Sequence, residues 1–303
     1  MASELNIAGR EVEEGSSLVR AHQSRLSVVI LTLNEEHNLP DCIASLRGLN
    51  CELFVIDSGS TDRTMGIAVN AGAHVINHPF ENYSAQRNWA QNQLPDTSGW
   101  VLHLDADERL TPELVAEINH ILSEDPAADG FLLRKRTVFM GRWIKHGGHY
   151  PAYHLRLFRK SKGSCEERLY DQHFLVPGEV RKLKHDYIDV VCSDLTTWVR
   201  RHVRWADLEA LEMLSASLPA NAVHPAAFGN PIQRKRWLRR LYGSGPLFLR
   251  PFLYFGYRYF LRLGFLDGKE GLIFHFLQGC WFRFLIDARI YEISKRVEAS
   301  NAF

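Results

Sequence analysis

The chain has 303 residues, of which 46% are hydrophobic and 23% charged, with a formal net charge of +1. That composition excludes a disordered chain and allows one substantial core with a smaller appendage. The five cysteines, at 42, 51, 165, 192 and 280, have no paired metal spacing, and their odd number argues against a complete disulfide framework and for a reducing cytosol.

Residues 1–24 are polar and lack the apolar run of a secretory signal, so a disordered leader is expected there. From Arg25 to Leu33 a β-branched and apolar run reads as a strand buried on both faces, and a helical pattern follows from Cys42 to Leu46. A second strand, Glu52 to Ile56, breaks at the polar, glycine-containing turn Asp57 to Asp62, with a helix expected from Thr64 to Ala71. A short strand, Ala73 to Ile76, and a helical pattern, Tyr83 to Ala90, come next.

The apolar run that starts at Trp100 ends in Asp105-Ala106-Asp107-Glu108. Alternation along an extended backbone puts Asp105 and Asp107 on one side, where two carboxylates can meet a hard divalent cation and the oxygens of a phosphorylated ligand. Glu108 is expected to cap the next helix, which Thr111-Pro112-Glu113 begins. Strand and helix in alternation predict an α/β fold, a parallel sheet covered on both faces, with ligands outside the carboxyl ends of its strands. Thr32, Asn34, Glu35, Asp57, Asp105 and Asp107 all fall at those ends.

Between Arg134 and Pro151, Trp143 is placed to stack on a sugar ring and Gly147 and Gly148 would let backbone approach it. His146 and His149 read as packing residues, since no cysteine lies at zinc-ligand spacing. The strand-like segment from Tyr153 to Phe158 carries Arg156, a candidate for the diphosphate. Cys165 to Phe174 holds a dense cluster of Glu166, Glu167, Arg168, Asp171 and His173.

Ser193 or Asp194 can cap a helix with an apolar stripe through Trp198, Val203 and Leu208 and with Arg200, Arg201 and Arg204 on its other side. From Pro231 to Arg262 there are eight basic residues and no acid. Leu247 to Phe260 and Leu272 to Leu285 are aromatic segments punctuated by arginine, joined by the turn Gly264 to Gly268. Neither has the roughly twenty uninterrupted apolar residues of a membrane span, and their composition suits a headgroup layer. A hairpin packed into the core or a dimer interface is the alternative.

Val28 to Glu35, Val55 to Thr64, Gln86 to Asn88 and Leu104 to Glu108, in this order and at this spacing, resemble the nucleotide-sugar domain of family 2 glycosyltransferases. The resemblance covers roughly residues 25–190. Within that family it is greatest to bacterial enzymes of lipopolysaccharide-core and exopolysaccharide assembly, whose Gly-Phe-Leu-Asp-Gly turn the chain shares at 264–268. It implies a GT-A-like, Rossmann-type catalytic domain over 25–190 and a helical, membrane-associated region over 191–303. It further implies inverting transfer from a nucleotide-diphosphate sugar, UDP foremost, to a glycan or lipid-linked acceptor at the inner face of the cell membrane.

By the same resemblance Asp57 matches the acid that hydrogen-bonds the base, and Thr32, Asn34 and Glu35 line base and ribose. Arg87 faces the donor pocket, Asp105 approaches the ribose and the metal's water shell, and Asp107 coordinates Mg²⁺ or Mn²⁺. The acceptor's proton calls for a base. Where relatives commonly carry a His-Glu pair this chain has Asp171-Gln172, so Asp171 is the first choice and Glu167 the second, with a salt bridge to Arg168 or Arg159 as the alternative for each. Asp57 has an alternative as a turn-former, and Arg87 as an ordinary exposed arginine. Rival functions are a catalytically degenerate nucleotide-sugar scaffold and a nucleotidyltransferase. The acidic, glycine-free loop after the first strand speaks against the latter, and the acid-lined front half speaks against nucleic-acid binding.

Overall fold

The computed structural model describes residues 26–192, 194–215 and 222–301, so the expected leader lies outside the described residues. In chain order the first half comprises β1 (Leu26–Thr32), α1 (Leu39–Ser45), β2 (Glu52–Asp57), α2 (Thr64–Asn70), β3 (His74–Asn77), α3 (Tyr83–Asn92), β4 (Trp100–Asp105), β5 (Glu108–Leu110) and α4 (Pro112–Ser123). Next come β6 (Gly130–Phe139), β7 (Arg142–Trp143), β8 (Ala152–Arg159), β9 (Ser164–Cys165), β10 (Phe174–Leu175) and β11 (Val180–Cys192). The helical remainder is α5 (Leu195–Leu214), α6 (Pro231–Gly243), α7 (Arg250–Gly256), α8 (Gly268–Phe276) and α9 (Phe282–Asn301), with π-helical turns at Tyr257–Leu261 and Leu277–Trp281.

The main sheet runs β3-β2-β1-β4-β8-β6-β11-β5, with β7 paired to β6. Its first four strands are parallel, as the alternating pattern predicts; β8 then enters antiparallel to both β4 and β6. Both faces are covered. Along β1, Val28 and Ile30 pack into the core under α1 and α4, while Val29 packs into the opposite core under α3. That two-sided burial is why the strand reads as an unbroken apolar run.

One consequence of the strand order positions the site. β5 is an edge of the sheet, with β8, β6 and β11 between it and β4 in the strand order, yet only Ala106 and Asp107 separate the two strands in sequence. The sheet therefore curls until its edge returns to β4, and the acids of residues 105–108 stand where it closes.

The helical remainder packs onto this frame. Asp194 caps α5 by accepting from the Thr197 amide, and Trp198 joins Phe139, Ile144 and Phe274 in a small core that links α5 and α8 to the end of β6. The basic stretch that begins at Pro231 opens with helix α6. Asn230 and Gln233 form a reciprocal capping box with Pro231 at the first turn, a local signal present in the sequence.

Candidate active site

Two arginines and two acids form a nearly neutral quartet where the sheet closes. Arg87 of α3 donates to Asp105 Oδ1 at 2.9 Å, and Arg156 of β8 donates to Asp105 Oδ2 at 2.9 Å and also to Glu108. The Asp105 amide donates to Glu108 Oε2 at 2.9 Å. Burial works against the Asp105 charge, but Arg156 and Arg87 outweigh it and hold that carboxyl well below the usual range. Burial pushes Glu108 up to about 7 against the pull of Arg156. Neither arginine is an exposed helical or strand residue. Arg87 also lies 5.6 Å from the Tyr83 and Phe174 rings, and Arg156 is only 6% exposed.

Two sequence expectations need correction. Glu108 caps nothing; Thr111 Oγ1 accepts from the Leu114 amide and caps α4, while Glu108 is a buried residue of β5. Asp105 and Asp107 do not share one side of an extended strand, because β4 ends at Asp105 and Asp107 occupies the turn. The period of two stops applying there. The two carboxylates still influence each other, and burial, Asp189 and Asp105 together raise the Asp107 carboxyl well above its usual range. The cation that faces it is Arg201 of α5, with Nη1 at 3.9 Å.

At the ends of β1 and β2, Asp57 is fully buried and its oxygens are spent within the chain. Oδ1 accepts from the amides of Gly59 and Ser60 at 3.0 and 2.7 Å, and Oδ2 from Thr32 Oγ1 at 2.9 Å and Ser60 Oγ at 2.5 Å. The turn-forming alternative is thus realised, and Thr32 is drawn into it. Asn34, at φ 56°, accepts from the Thr61 amide at 2.8 Å and so ties the first loop to the second. Glu35 accepts from Asn38 at 2.7 Å, with its carboxyl raised by burial. Strand ends, loops and acids are therefore brought to one rim.

The acceptor-side expectations fare differently. The ring of Trp143 carries the Arg136 guanidinium 4.4 Å from its centroid and Lys145 at 5.4 Å, with Tyr150 edge-on at 5.1 Å. Asp171 is gripped by Arg239 at 2.8 Å, Lys235 at 3.0 Å and Arg236 at 3.4 Å. Burial opposes its charge, but Lys235, His173, Arg239 and Arg236 hold its carboxyl well below the usual range. The salt-bridge alternative is realised, with partners from α6 in place of Arg168 or Arg159. Arg168 pairs with Glu212 and Glu166 with Arg236, while Glu167 is exposed.

Sequence reasoning missed two residues of the site. Asp189 of β11 lies opposite Glu108 in register and is bridged to Lys135 at 2.7 Å; its place depends on the curl of the sheet. Arg201 looks the same as Arg200 and Arg204 in sequence, and only docking of α5 singles it out.

Among the described residues no three carboxylate, histidine or cysteine side chains form a ready-made metal cluster. The donor chemistry nevertheless fits a hard divalent ion. Asp107 offers carboxylate oxygen, and like charge on Asp189 and Asp105 already crowds it, a repulsion that a bound cation relieves.

The model of the family described as glycosyl transferase family 2 matches residues 27–179. The chain belongs to that family. An uncharacterized glycosyltransferase of Rickettsia typhi is 38% identical over 99 residues, which cover 33% of each chain, so the match spans a third of that relative's length. The lipopolysaccharide core biosynthesis glycosyltransferase LpsC of Rhizobium meliloti is 32% identical over 143 residues, covering 46% of this chain and 52% of LpsC. Among solved structures, S. aureus TarS 1–349 in complex with UDP-GlcNAc aligns over 90% of this chain and 92% of its own, at 16% identity and a TM-score of 0.44.

Proposed function

We propose that this family 2 glycosyltransferase moves a sugar, with inversion, from a nucleotide-diphosphate sugar to a hydroxyl of a glycan or lipid-linked acceptor in cell-surface polysaccharide or lipopolysaccharide synthesis. The observation that carries the reading is the closure of the sheet at residues 105–108, which holds Asp105 in fixed ion pairs and leaves Asp107 crowded by like charge. The LpsC match supports the lipopolysaccharide setting. UDP is the first donor nucleotide to test, on the sequence resemblance. Thr32, Asn34, Glu35 and Asp57 shape the donor rim, with Asp57 acting through the turn it folds. Asp107 holds Mg²⁺ or Mn²⁺ with Asp105 beside it, and the ion supplies Lewis-acid help to the leaving diphosphate.

In-line displacement needs a group to take the acceptor's proton. Asp171 is assigned that role and Glu167 is its alternative. The cations around Asp171 keep it ionised at any working pH, at the expense of basicity. Trp143 and Arg156 act behind the acceptor and donor sites, through the residues they hold.

The exposed apolar face of the C-terminal helices is assigned to a membrane surface. Phe252, Leu253, Phe260, Leu261, Phe265 and Leu266 are all exposed, and Arg262 and Lys269 lie among them. No helix among the described residues is long and apolar enough to cross a membrane. On the sequence resemblance the surface is assigned to the inner face of the cell membrane, with the protein peripheral to it.

Thermal melts with UDP, GDP and dTDP, each with and without Mn²⁺, test the donor site, since a ligand of the native state raises its stability with occupancy. One nucleotide is expected to stabilise the protein with Mn²⁺ present. Folded protein that responds to none of them would sink the nucleotide-donor reading.

A further inference from the structure

We propose that Arg201, supplied by helix α5 from outside the segment the family model matches, is a further catalytic residue, the cation that meets the donor's diphosphate as it leaves. The proposal rests on the donor-site reading above.

The other cations at this end of the sheet are already spent. Arg87 and Arg156 are bound to Asp105 and Glu108, and Lys135 is bridged to Asp189 at 2.7 Å. Arg201 has no carboxylate at hydrogen-bond distance; Asp107 Oδ2 is 3.9 Å from its Nη1. Its Nη2 donates to the Val191 carbonyl at 3.2 Å, and its Nε is buried without a hydrogen-bond partner. A buried guanidinium N–H left unpaired is costly; Arg156 and Arg236 share that feature, but carboxylates hold both of them, and none within hydrogen-bond distance holds Arg201.

Placement supports the same partner. The Arg201 charge acts on Glu35 after β1, on Tyr83 of α3 and on Asp107 after β4. With Asp107 Oδ2 3.9 Å from its Nη1, the guanidinium stands at the turn beyond the carboxyl end of β4, the kind of place where phosphorylated ligands bind in such sheets. The indole of Trp205, one turn along α5, lies 5.1 Å from the guanidinium. A planar fork held over a ring is preorganised for two phosphate oxygens, which a lysine's point charge is not. α5 itself is a twenty-residue helix capped by Asp194 and packed against α9 through Ala206, Ala210, Phe282 and Ile286.

In the reaction the bond from the anomeric carbon to the diphosphate oxygen breaks and its electron pair leaves with that oxygen. The acceptor oxygen bonds to the carbon from the opposite face and its proton goes to the base. Arg201 keeps its proton throughout and stabilises the charge that accumulates on the diphosphate.

Calorimetric titration in Mn²⁺ tests this with full-length wild type, Arg201→Gln and Arg201→Lys. The probes are UDP, GDP and dTDP, with the matching nucleoside of whichever binds wild type. Arg201→Gln is expected to weaken the diphosphate about ten- to a hundredfold, the worth of a hydrogen bond to a charged group, and the nucleoside by less than twofold. Arg201→Lys should recover part of the loss. Equal diphosphate affinity in wild type and Arg201→Gln overturns the proposal, and so does equal weakening of nucleoside and diphosphate, which marks a structural role. Failure of wild type to bind any of the three diphosphates instead brings down the donor-site reading, and this assignment with it.

Discussion

Asp267 accepts from His146 twice, from the backbone amide at 2.9 Å and from ring Nδ1 at 2.6 Å. It also accepts from the Lys145 amide at 3.3 Å, and it is 2% exposed. Through this residue the turn Gly264 to Gly268, which joins the two aromatic segments, clasps the loop between β7 and β8. Arg258 reinforces the clasp by donating to the Gly147 carbonyl at 3.0 Å. Gly147, at φ 69°, has no room for a side chain, because a Cβ there would strike His275. The C-terminal hairpin is thus part of the catalytic frame and not a detachable tail.

Asp267→Ala should therefore destabilise the protein by about 2–4 kcal/mol, since two backbone amides and a ring N–H lose their buried acceptor. Urea unfolding measures it. A loss below about 0.5 kcal/mol would show that the clasp contributes nothing to holding the hairpin.

Asp107→Asn should separate stability from function. Removing a carboxyl crowded by Asp189 and Asp105 relieves repulsion, so the melting temperature is expected to hold or rise, by the equivalent of about 1 kcal/mol, as happens when strained functional residues are neutralised. The Mn²⁺-dependent nucleotide response should vanish. A variant that keeps that response would remove Asp107 from the metal site.

The C-terminal helices carry a pH dependence. Burial pulls His202 and His275 down to about 4, whereas both titrate near 6.5 in the unfolded chain. The stability they contribute is fully present above pH 6.5 and is lost as pH falls towards 4, by up to about 1.4 kcal/mol per pH unit for each. His202 Nδ1 donates to the Trp198 carbonyl at 2.8 Å and its Nε2 lies 3.0 Å from the Gln278 side-chain amide, contacts that glutamine can in part replace. Between pH 6.5 and 5, His202→Gln should lose less unfolding free energy than wild type; parallel curves would mean that His202 is not held neutral.

Substitution of the two proposed bases has distinct expected outcomes. Asp171→Asn should abolish transfer while leaving donor binding intact, and it should also lower stability by about 3 kcal/mol, because Lys235, Arg236 and Arg239 lose their shared acid. Glu167→Gln should leave both nearly unchanged. Turnover lost in Glu167→Gln and kept in Asp171→Asn would transfer the role and leave Asp171 as the staple between α6 and the loop before β10.

Much of the frame was legible because local signals agreed with one another. β1 through β4 announce themselves as apolar runs ending in polar turns, and the boundaries of β1 and α2 fall within a residue or so of expectation. What failed to show were relations made by the third dimension. Glu108 read as a cap because nothing in sequence reveals that Arg156, 48 residues on, will meet it. Asp189 enters the site only through sheet curl, and Arg201 only through docking of α5. The sequence allows Asp57 as a base-binding acid or as a turn-former, and its hydrogen bonds to Gly59 and Ser60 realise the second.

The exposed face of the hairpin makes the last prediction. Phe260 and Leu261 are 61% and 75% exposed and sit beside Arg262. Replacing both by glutamate should leave folding intact, since neither contributes to the core. If the face rests in a lipid headgroup layer, the pair contributes about 3 kcal/mol of burial, so their loss should cut partition onto anionic phospholipid vesicles by more than about a hundredfold. Co-sedimentation reads the difference. Wild type that stays in solution with anionic vesicles, or a double variant that still sediments with them, would assign the apolar face to a protein contact instead, and sedimentation velocity would then be expected to show a second copy bound.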